Sequence, residues 1–320
     1  MSDRLWALAL AFFLDLAIGD PAWLPHPVRL IGRYIAWAEG RLRAGCRRLR
    51  LGAVALALSA VLPCALAAAL AEWLLGLWGP VPLMAGRVVM AWWGLSAGSL
   101  ALEARWVRRA LDQGLDQGRR QVARIVGRDT GQLSQEEVVK ATVETVAENT
   151  TDGVVAPMLY FALGGPALLW AFKAASTLDS MVGYLDEKYR DIGWFSARLD
   201  DAFNFLPARL AGPLMALCAF PLFPLGLKGG RAWAVLVRDH KNHLSPNCAW
   251  TESAAAGALG IQLGGSHRYF GKVVVKPAIG DALRPAQPRD IFRMNALMLL
   301  TSLLALALIL LAGGLACRMA

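Results

Sequence analysis

The chain is poor in charge, in histidine and in cysteine. Only 18% of its 320 residues are Asp, Glu, Lys or Arg, below the roughly 25% of an average soluble domain, so a purely cytosolic or disordered protein is excluded. Five cysteines (Cys46, Cys64, Cys218, Cys248 and Cys317) are scattered without a CxxC or Cys/His spacing. That excludes a disulfide framework, a structural zinc site and a cysteine redox centre. No GxxxxGK[ST], GxSxG, HExxH or kinase signature occurs, and no GxGxxG follows a strand. Basic residues do not alternate with aromatics as on a nucleic-acid platform, so no nucleic-acid partner is expected.

What is abundant is apolar sequence: 56% of the chain is hydrophobic, with a net charge of +9. The sequence predicts an all-α fold, a polytopic helical integral membrane protein with cytoplasmic helical loops and broken or re-entrant helices. One membrane-embedded domain, 1–320, is the simplest organisation, since no repeat or linker divides it. A bilayer core needs about 20 apolar residues per helix, which 51–71 and 294–316 supply without a charge. Residues 81–102 read as a further span, paired with the preceding one through the Trp78-Gly79-Pro80 turn, and 5–18 as a short one. Asp15 interrupts that first run and no small-residue cleavage site follows, so it reads as retained. Residues 154–172, with Gly164-Gly165-Pro166, and 210–227, with Pro213, Pro221 and Pro224, read as spans or as re-entrant segments. The loop carrying Arg29, Arg33, Arg41, Arg43, Arg47, Arg48 and Arg50 against Glu39 is cytoplasmic by the positive-inside rule.

Polar groups gather in four clusters. Asp20, His26, Arg29 and Arg33 follow the first helix, a stop signal with interfacial arginines or a substrate entrance. Ser134 and Glu137 make a capping box, and beyond it Glu144, Glu148 and Asp152 recur every four residues beside Asn149. Such a stripe is either a solvated acidic face or a site whose carboxylates are offset by a cation; Mg²⁺ shared with substrate phosphates fits. The third cluster, 173–209, mixes Lys173, Asp179, Asp186, Lys188, Arg198, Asp200, Asp201 and Arg209, as binding of a phosphorylated substrate would require; surface ion pairs would also explain many of them. The fourth holds Asp239, His240, His243, the Ser245-Pro246-Asn247 turn and Glu252, which opens a small-residue helix able to pack closely on a neighbour. The two histidines lack a third, so a phosphate or turn contact suits them better than a metal.

These clusters together resemble the adenosylcobinamide-phosphate synthase family of cobalamin biosynthesis, CobD/CbiB. GDPxxLPHPVRLIGR, ENTTDGVVAP, TLDSMVGY, KYRDIGWFSARLDD, PARL, HLSPN, AAGALGIQLGG and IGD stand in the family's order from about Leu14 to Asp281. The resemblance implies an ATP-dependent amide ligase of the bacterial inner membrane with its active site facing the cytoplasm. It would join an amino-alcohol phosphate to the propionate carboxylate of adenosylcobyric acid, with ATP as co-substrate, Mg²⁺ as cofactor and the corrinoid as substrate. Membrane lipid and other cobalamin-assembly enzymes are the further partners implied. Carried onto this chain, Glu148 and Asp152 would ligate Mg²⁺ with Asn149 orienting them. Lys173 and Lys188 would neutralise phosphate, and Asp179 or Asp201 would ligate metal or take the amine proton. His240, Ser245 and Asn247 would bind phosphate or nucleotide with Glu252 beside them, and Asp20, His26 and Arg29 would line the entrance. A corrinoid-binding membrane protein or transporter without chemistry is the competing expectation, and a sensor relative a third.

Overall fold

The computed structural model describes every residue except Met1, Ala22, Arg47, Leu185, Asp186, Phe270 and Ala320, and the side chain of Met319. Arg47 and Asp186, named above, therefore lie outside the described residues. Helices dominate: α1 Asp3–Ile18, α2 Pro27–Gly45, α3 Leu49–Leu77, α4 Pro80–Trp92, α5 Ala97–Gln113, α6 Leu115–Val122, α7 Gln135–Thr150, α8 Ala156–Val182, α9 Trp194–Cys218, α10 Gly229–Asp239, α11 Cys248–Leu259 and α12 Pro288–Met319. The all-α expectation is corrected by an antiparallel hairpin, β1 Leu263–Tyr269 and β2 Lys272–Ile279. Its physical basis is the run Val273-Val274-Val275, β-branched residues that favour a pleated strand, next to Gly271, whose φ of 77° makes the turn.

Among the described residues, three stretches are long and apolar enough to cross a membrane: Leu49–Leu77, Gln135–Val182 and Pro288–Arg318. Their exposed leucines, such as Leu58, Leu62, Leu66 and Leu70 on α3 and Leu308, Leu311 and Leu315 on α12, form faces that hydrocarbon would cover. The expected span 81–102 is not one helix. α4 ends at Trp92 in a tightened turn, with Gly94 N–H donating to Ala91 O at 3.0 Å and Leu95 N–H to Trp92 O at 3.1 Å. Gly94 fits there because a Cβ would lie 2.7 Å from a Leu169 methyl. The run 210–227 is likewise divided. α9 passes through Pro207 and Pro213 to Cys218, and a single 3₁₀ turn, Phe223–Leu225, precedes Gly226 at φ 88°.

Two compact units divide the chain. The first contains residues 1–96, 156–204 and 306–320. In it α3 packs on α8, α1 on α4, and α2 on both α3 and α8. The predicted α3–α4 hairpin forms around the Trp78-Gly79-Pro80 turn and is tied by Arg87 Nε on Glu72 Oε1 at 2.6 Å, both largely buried. α8 breaks at Gly165, whose φ 65° and ψ −156° are open only to glycine. Pro166 follows and cannot donate to the preceding turn. Arg4 Nη1 reaches the exposed Leu163 carbonyl at 3.5 Å, and Arg4 and Glu72 flank Gly165 so closely that a Cβ would sit 3.3 to 3.4 Å from them.

The second unit contains residues 97–155 and 205–305. The capping box forms as predicted: Glu137 N–H donates to Ser134 Oγ at 3.2 Å, and Ser134 N–H to Glu137 Oε2 at 2.7 Å. α7 then runs into a π-turn, Thr151–Val155, of the kind that interrupts helices at functional positions. The small residues of α11 bring it against α10 as expected, and a Cβ on Gly257 would lie 2.6 Å from the Arg231 carbonyl. Asp290, fully buried at the start of α12, accepts from Arg284 at 2.7 Å and from Arg293 at 3.0 Å.

The break in α8 has a thermodynamic signature. Gly165→Ala is expected to lose about 1–3 kcal/mol of stability, since alanine cannot adopt that conformation without strain. Gly76→Ala, at a helical position with nothing within 4 Å, should be neutral or slightly stabilising. Thermal midpoints of the two variants in detergent check the contrast.

Candidate functional site

Within the first unit the structure joins Asp20, His26, Arg29 and Lys173. His26 is the N-cap of α2: Val28 N–H donates to its Nδ1 at 3.2 Å. The neutral ring therefore carries its proton on Nε2, which faces Asp20 Oδ1 at 3.6 Å. Burial lowers the His26 pKa; Lys173 and Arg29 lower it further and Asp20 opposes them. The result is a neutral N–H donor turned to the Asp20 carboxylate, with the Lys173 and Arg29 cations nearby at the start of a helix, cations that suit an anionic group.

Other residues of that cluster go elsewhere. The Asp179 carboxylate lies over Gly183, where a Cβ would overlap it, and its carbonyl accepts from Gly183 N–H at 2.8 Å. Lys188 is exposed; its Nζ donates to Tyr189 Oη at 2.8 Å, and its carbonyl accepts from Arg43 Nη2 at 2.7 Å. That ties it to the C-terminal end of α2. Asp201 is half-buried on α9, next to Asp200, whose Oδ2 accepts from Asn204 Nδ2 at 3.1 Å.

The second unit holds an acidic cluster in which Glu144 and Glu252 are buried and Glu148 and Asp152 half-buried. Glu144, Glu148 and Asp152 come from α7 and the π-turn, Glu252 from α11. Glu144 already has its cation: Arg128 Nη2 pairs with Oε2, both side chains less than a tenth exposed. Its Oε1 accepts from Gly264 N–H at 2.8 Å, which fastens the hairpin to α7. Glu148 Oε1 accepts from the Cys248 thiol at 3.3 Å. Burial pushes that thiol well above its usual range, and the charges of Glu148, Glu252 and Asp152 add to the effect. Glu252 is 3% exposed, and no hydrogen bond or ion pair to it is present among the described residues. Burial first, then Glu144 and Glu148, raise its pKa to about 8. Lys276 of β2 also faces these carboxylates, and the acids hold its ammonium charged against the opposing effect of burial. His243 accepts Ser245 N–H on Nδ1 at 3.0 Å, and its Nε2 is buried without a partner among the described residues.

The turn before α11 is built from predicted residues. Asn247 N–H donates to Ser245 Oγ at 3.3 Å, and Asn247 Oδ1 accepts from Arg209 Nη1 at 3.3 Å. Arg209 also lies over the Phe205 ring at 3.4 Å and the Trp250 ring at 5.2 Å. The His240 ring stands 4.5 Å from Trp250, and its Nδ1 is used on the Leu236 and Val237 carbonyls, both at 3.1 Å. Asn149 donates to Thr145 O at 2.9 Å, so its amide is engaged on its own helix. The IGD block is structural: Arg238 bridges Asp239 and Asp281, and Gly280 N–H donates to Asp239 at 2.8 Å.

Among the described residues no three His, Cys, Asp or Glu side chains are arranged to hold a metal on their own. Glu148 and Asp152, hard oxygen donors in a cluster with surplus negative charge, fit a Mg²⁺ that draws its remaining ligands from phosphate and water. Arg128, His267 and Lys276 were not anticipated, because their roles depend on the hairpin; the valine run was its only signal. His267 receives Arg128 Nη1 on Nδ1 at 2.9 Å, and burial with Arg128 lowers its pKa to about 4. It also lines a cavity of about 410 Å³ with Asp129, Gln132, Glu137 and Arg268.

This architecture defines a helical membrane protein with a buried carboxylate cluster closed by a hairpin. The family model described as CobD/Cbib protein matches residues 8–298, and the chain belongs to that family. It is 51% identical to the cobalamin biosynthesis protein CobD of Geobacter metallireducens, with 86% of each chain covered. It is 49% identical to the protein of the same name from Pelobacter propionicus, over 95% and 94% of the two chains. Identity to the cobalamin biosynthesis protein CbiB of Salmonella typhimurium is 44%, over 95% of each. No solved structure matches the chain.

The Arg128–Glu144 pair carries a stability prediction. Glu144→Ala strands a buried guanidinium and the Gly264 N–H, and should cost about 3–5 kcal/mol, whereas the double variant Arg128→Met with Glu144→Met should recover most of that loss. Denaturation in detergent and protease sensitivity of the hairpin check both.

Proposed function

We propose that this protein is an ATP-dependent amide ligase that joins an amino-alcohol phosphate, aminopropanol phosphate, to the propionate carboxylate of adenosylcobyric acid. The observation that carries this reading is family membership over residues 8–298. A carboxylate is a poor electrophile, so the carboxylate oxygen first takes the γ-phosphoryl group and ADP leaves. The amine nitrogen then attacks the carbonyl carbon, the bond to phosphate breaks, and the nitrogen loses its proton.

Each step asks for groups present here. Lys173, Arg29 and the His26 Nε2–H would hold phosphate oxygens and offset their charge. Mg²⁺, held by Glu148 and Asp152, would neutralise charge on the nucleotide. Asp179 and Asp201 offer further carboxylates, Asp20 orients His26 at the entrance, and the Ser245–Asn247 turn with Arg209 and His240 presents donors to a phosphate or nucleotide. The lack of bulk water in a buried cluster protects an acyl phosphate from hydrolysis. ATP supply requires the site to face the cytoplasm, which agrees with the arginine-rich first loop, and the apolar helices suit the bacterial inner membrane.

Detergent-purified protein given MgATP and adenosylcobyric acid should release ADP and form adenosylcobinamide phosphate only when aminopropanol phosphate is added. Corrinoid binding without ADP or product would replace the ligase by a carrier. Asp152→Ala should abolish turnover while leaving the thermal midpoint near that of the parent; near-normal activity in the folded variant would remove Asp152 from the site.

A further inference from the structure

The cavity beside His267 is walled by two stretches far apart in sequence. One is 129–137, the turn that leads into α7 with the first residues of that helix; the other is the hairpin, through 266–268 of β1 and Val273 of β2. The two are fastened together behind the cavity. Asp129 N–H donates to Arg268 O and Gly271 N–H to Asp129 Oδ2, both at 2.8 Å, and Arg128 Nη1 holds the His267 ring at 2.9 Å. The space between them, about 410 Å³, is of the size that takes a small molecule. Gln132, Glu137, Ser266 and Arg268 are exposed at its mouth, so a ligand enters from solvent.

The lining selects the chemistry of that ligand. Asp129 and Glu137 oppose a simple anion, and no three His, Cys, Asp or Glu side chains among the described residues are arranged for a metal. A neutral group rich in hydroxyls and ring nitrogens fits both conditions. Each carboxylate spends one oxygen on backbone: Asp129 Oδ2 on Gly271, and Glu137 Oε2 on Ser134 N–H at 2.7 Å. Their second oxygens accept no hydrogen bond among the described residues, and a carboxylate is the usual acceptor for a ribose hydroxyl. Gln132 carries a donor and an acceptor on one amide, the pair that reads the N6/N7 edge of adenine. Leu133 and Val273 supply apolar surface for the faces of a planar ring. The Arg268 guanidinium makes no hydrogen bond or ion pair among the described residues and is available to an oxygen beyond the ribose.

We propose that the cavity between 129–137 and the hairpin binds an adenosine group, with Gln132 on the base, Asp129 and Glu137 on the ribose hydroxyls and Arg268 at the 5′ side. This rests on the ligase reading, in which two substrates carry that group: ATP, and adenosylcobyric acid through its adenosyl ligand. No bond forms or breaks in the cavity, which holds the group in place. α7 connects it to the acidic cluster. Glu137 and Glu148 are eleven residues apart, about three turns, so they share a face of the helix at a separation of roughly 16 Å along its axis. An extended nucleoside triphosphate is of comparable length.

Photolabelling of the full-length protein in detergent with 8-azido-ATP, mapped by peptide mass, should place the label within 129–137 or 266–273, and needs no variant to fold. Protection by ATP and not by adenosylcobyric acid assigns the cavity to the nucleotide. Protection by adenosylcobyric acid, and not by cyanocobyric acid, which lacks the adenosyl group, assigns it to the corrinoid. Ser266→Trp, which fills the cavity from an exposed position, should remove the label and weaken binding of the protecting ligand by more than about tenfold, and Gln132→Ala should weaken it about tenfold. Both should keep the parent's thermal midpoint, since neither side chain is buried. Label confined to other peptides, or an unchanged Kd in folded Ser266→Trp, overturns the cavity assignment, and product formed by the same preparation leaves the ligase standing. Neither ligand binding nor product in the folded parent protein overturns both.

Discussion

A carboxylate withdrawn from water must meet a cation or give up its charge, and the acidic cluster of this protein uses both solutions. Glu144 meets Arg128 in a pair almost closed to solvent. Glu252, on a helix lined with alanine and serine, stays protonated near neutrality. The hairpin depends on this arrangement. Gly264 N–H is held by Glu144, Asp129 N–H donates to Arg268 O at 2.8 Å, and Asp129 Oδ2 accepts from Gly271 N–H at 2.8 Å. The hairpin in turn delivers Lys276, paired in register with Gly265, to the same carboxylates. Cluster and hairpin are mutually dependent, since an isolated two-stranded sheet is marginal without such anchors.

The interruptions of the long helices follow from the same constraint on polar groups in an apolar setting. Backbone groups freed at a break must find partners, and they do so locally: at Gly165 the Leu163 carbonyl receives Arg4, with the Arg87–Glu72 pair alongside. Where α7 passes into α8, a π-turn retains intrahelical bonds while changing the direction of the side chains. The strict four-residue stacking expected of Glu144, Glu148 and Asp152 is therefore interrupted before Asp152, and within the stripe Glu144 is spent on Arg128 and the hairpin.

Helical segments, the capping box at Ser134, the close-packing α11 and the hairpin between α3 and α4 were all legible, because each depends on spacing within a few residues. The pieces that were not legible depend on partners distant in sequence. Nothing near Glu144 announces that Arg128 and Gly264 will claim it, and Lys276 looks like a surface lysine until β2 turns it inward. The division of 81–102 into two helices was not legible because hydropathy does not register the close approach of Leu169 to Gly94. Lys188, to which the family resemblance gives a phosphate-neutralising role, donates to Tyr189 and accepts through its carbonyl from Arg43, partners that its own block does not announce. His26, Arg29 and Lys173, drawn from two separate clusters, do converge.

Histidine usage unites the two polar regions. His26 and His243 each sit two residues before a backbone N–H that donates to Nδ1, and His267 has Nδ1 taken by Arg128. In His26 and His243 the neutral ring carries its proton on Nε2, and burial lowers the pKa of all three rings. A ring with a blocked Nδ1 and a protonated Nε2 is a poor metal ligand but a fixed N–H donor of the sort that orients an anion. His240 is the exception, with Nδ1 spent on carbonyls, and it serves as a stacking partner for Trp250 instead. Backbone geometry thus sets the tautomer of His26 and His243, the Arg128 guanidinium holds His267, and His240 donates to carbonyls of its own helix while packing on Trp250.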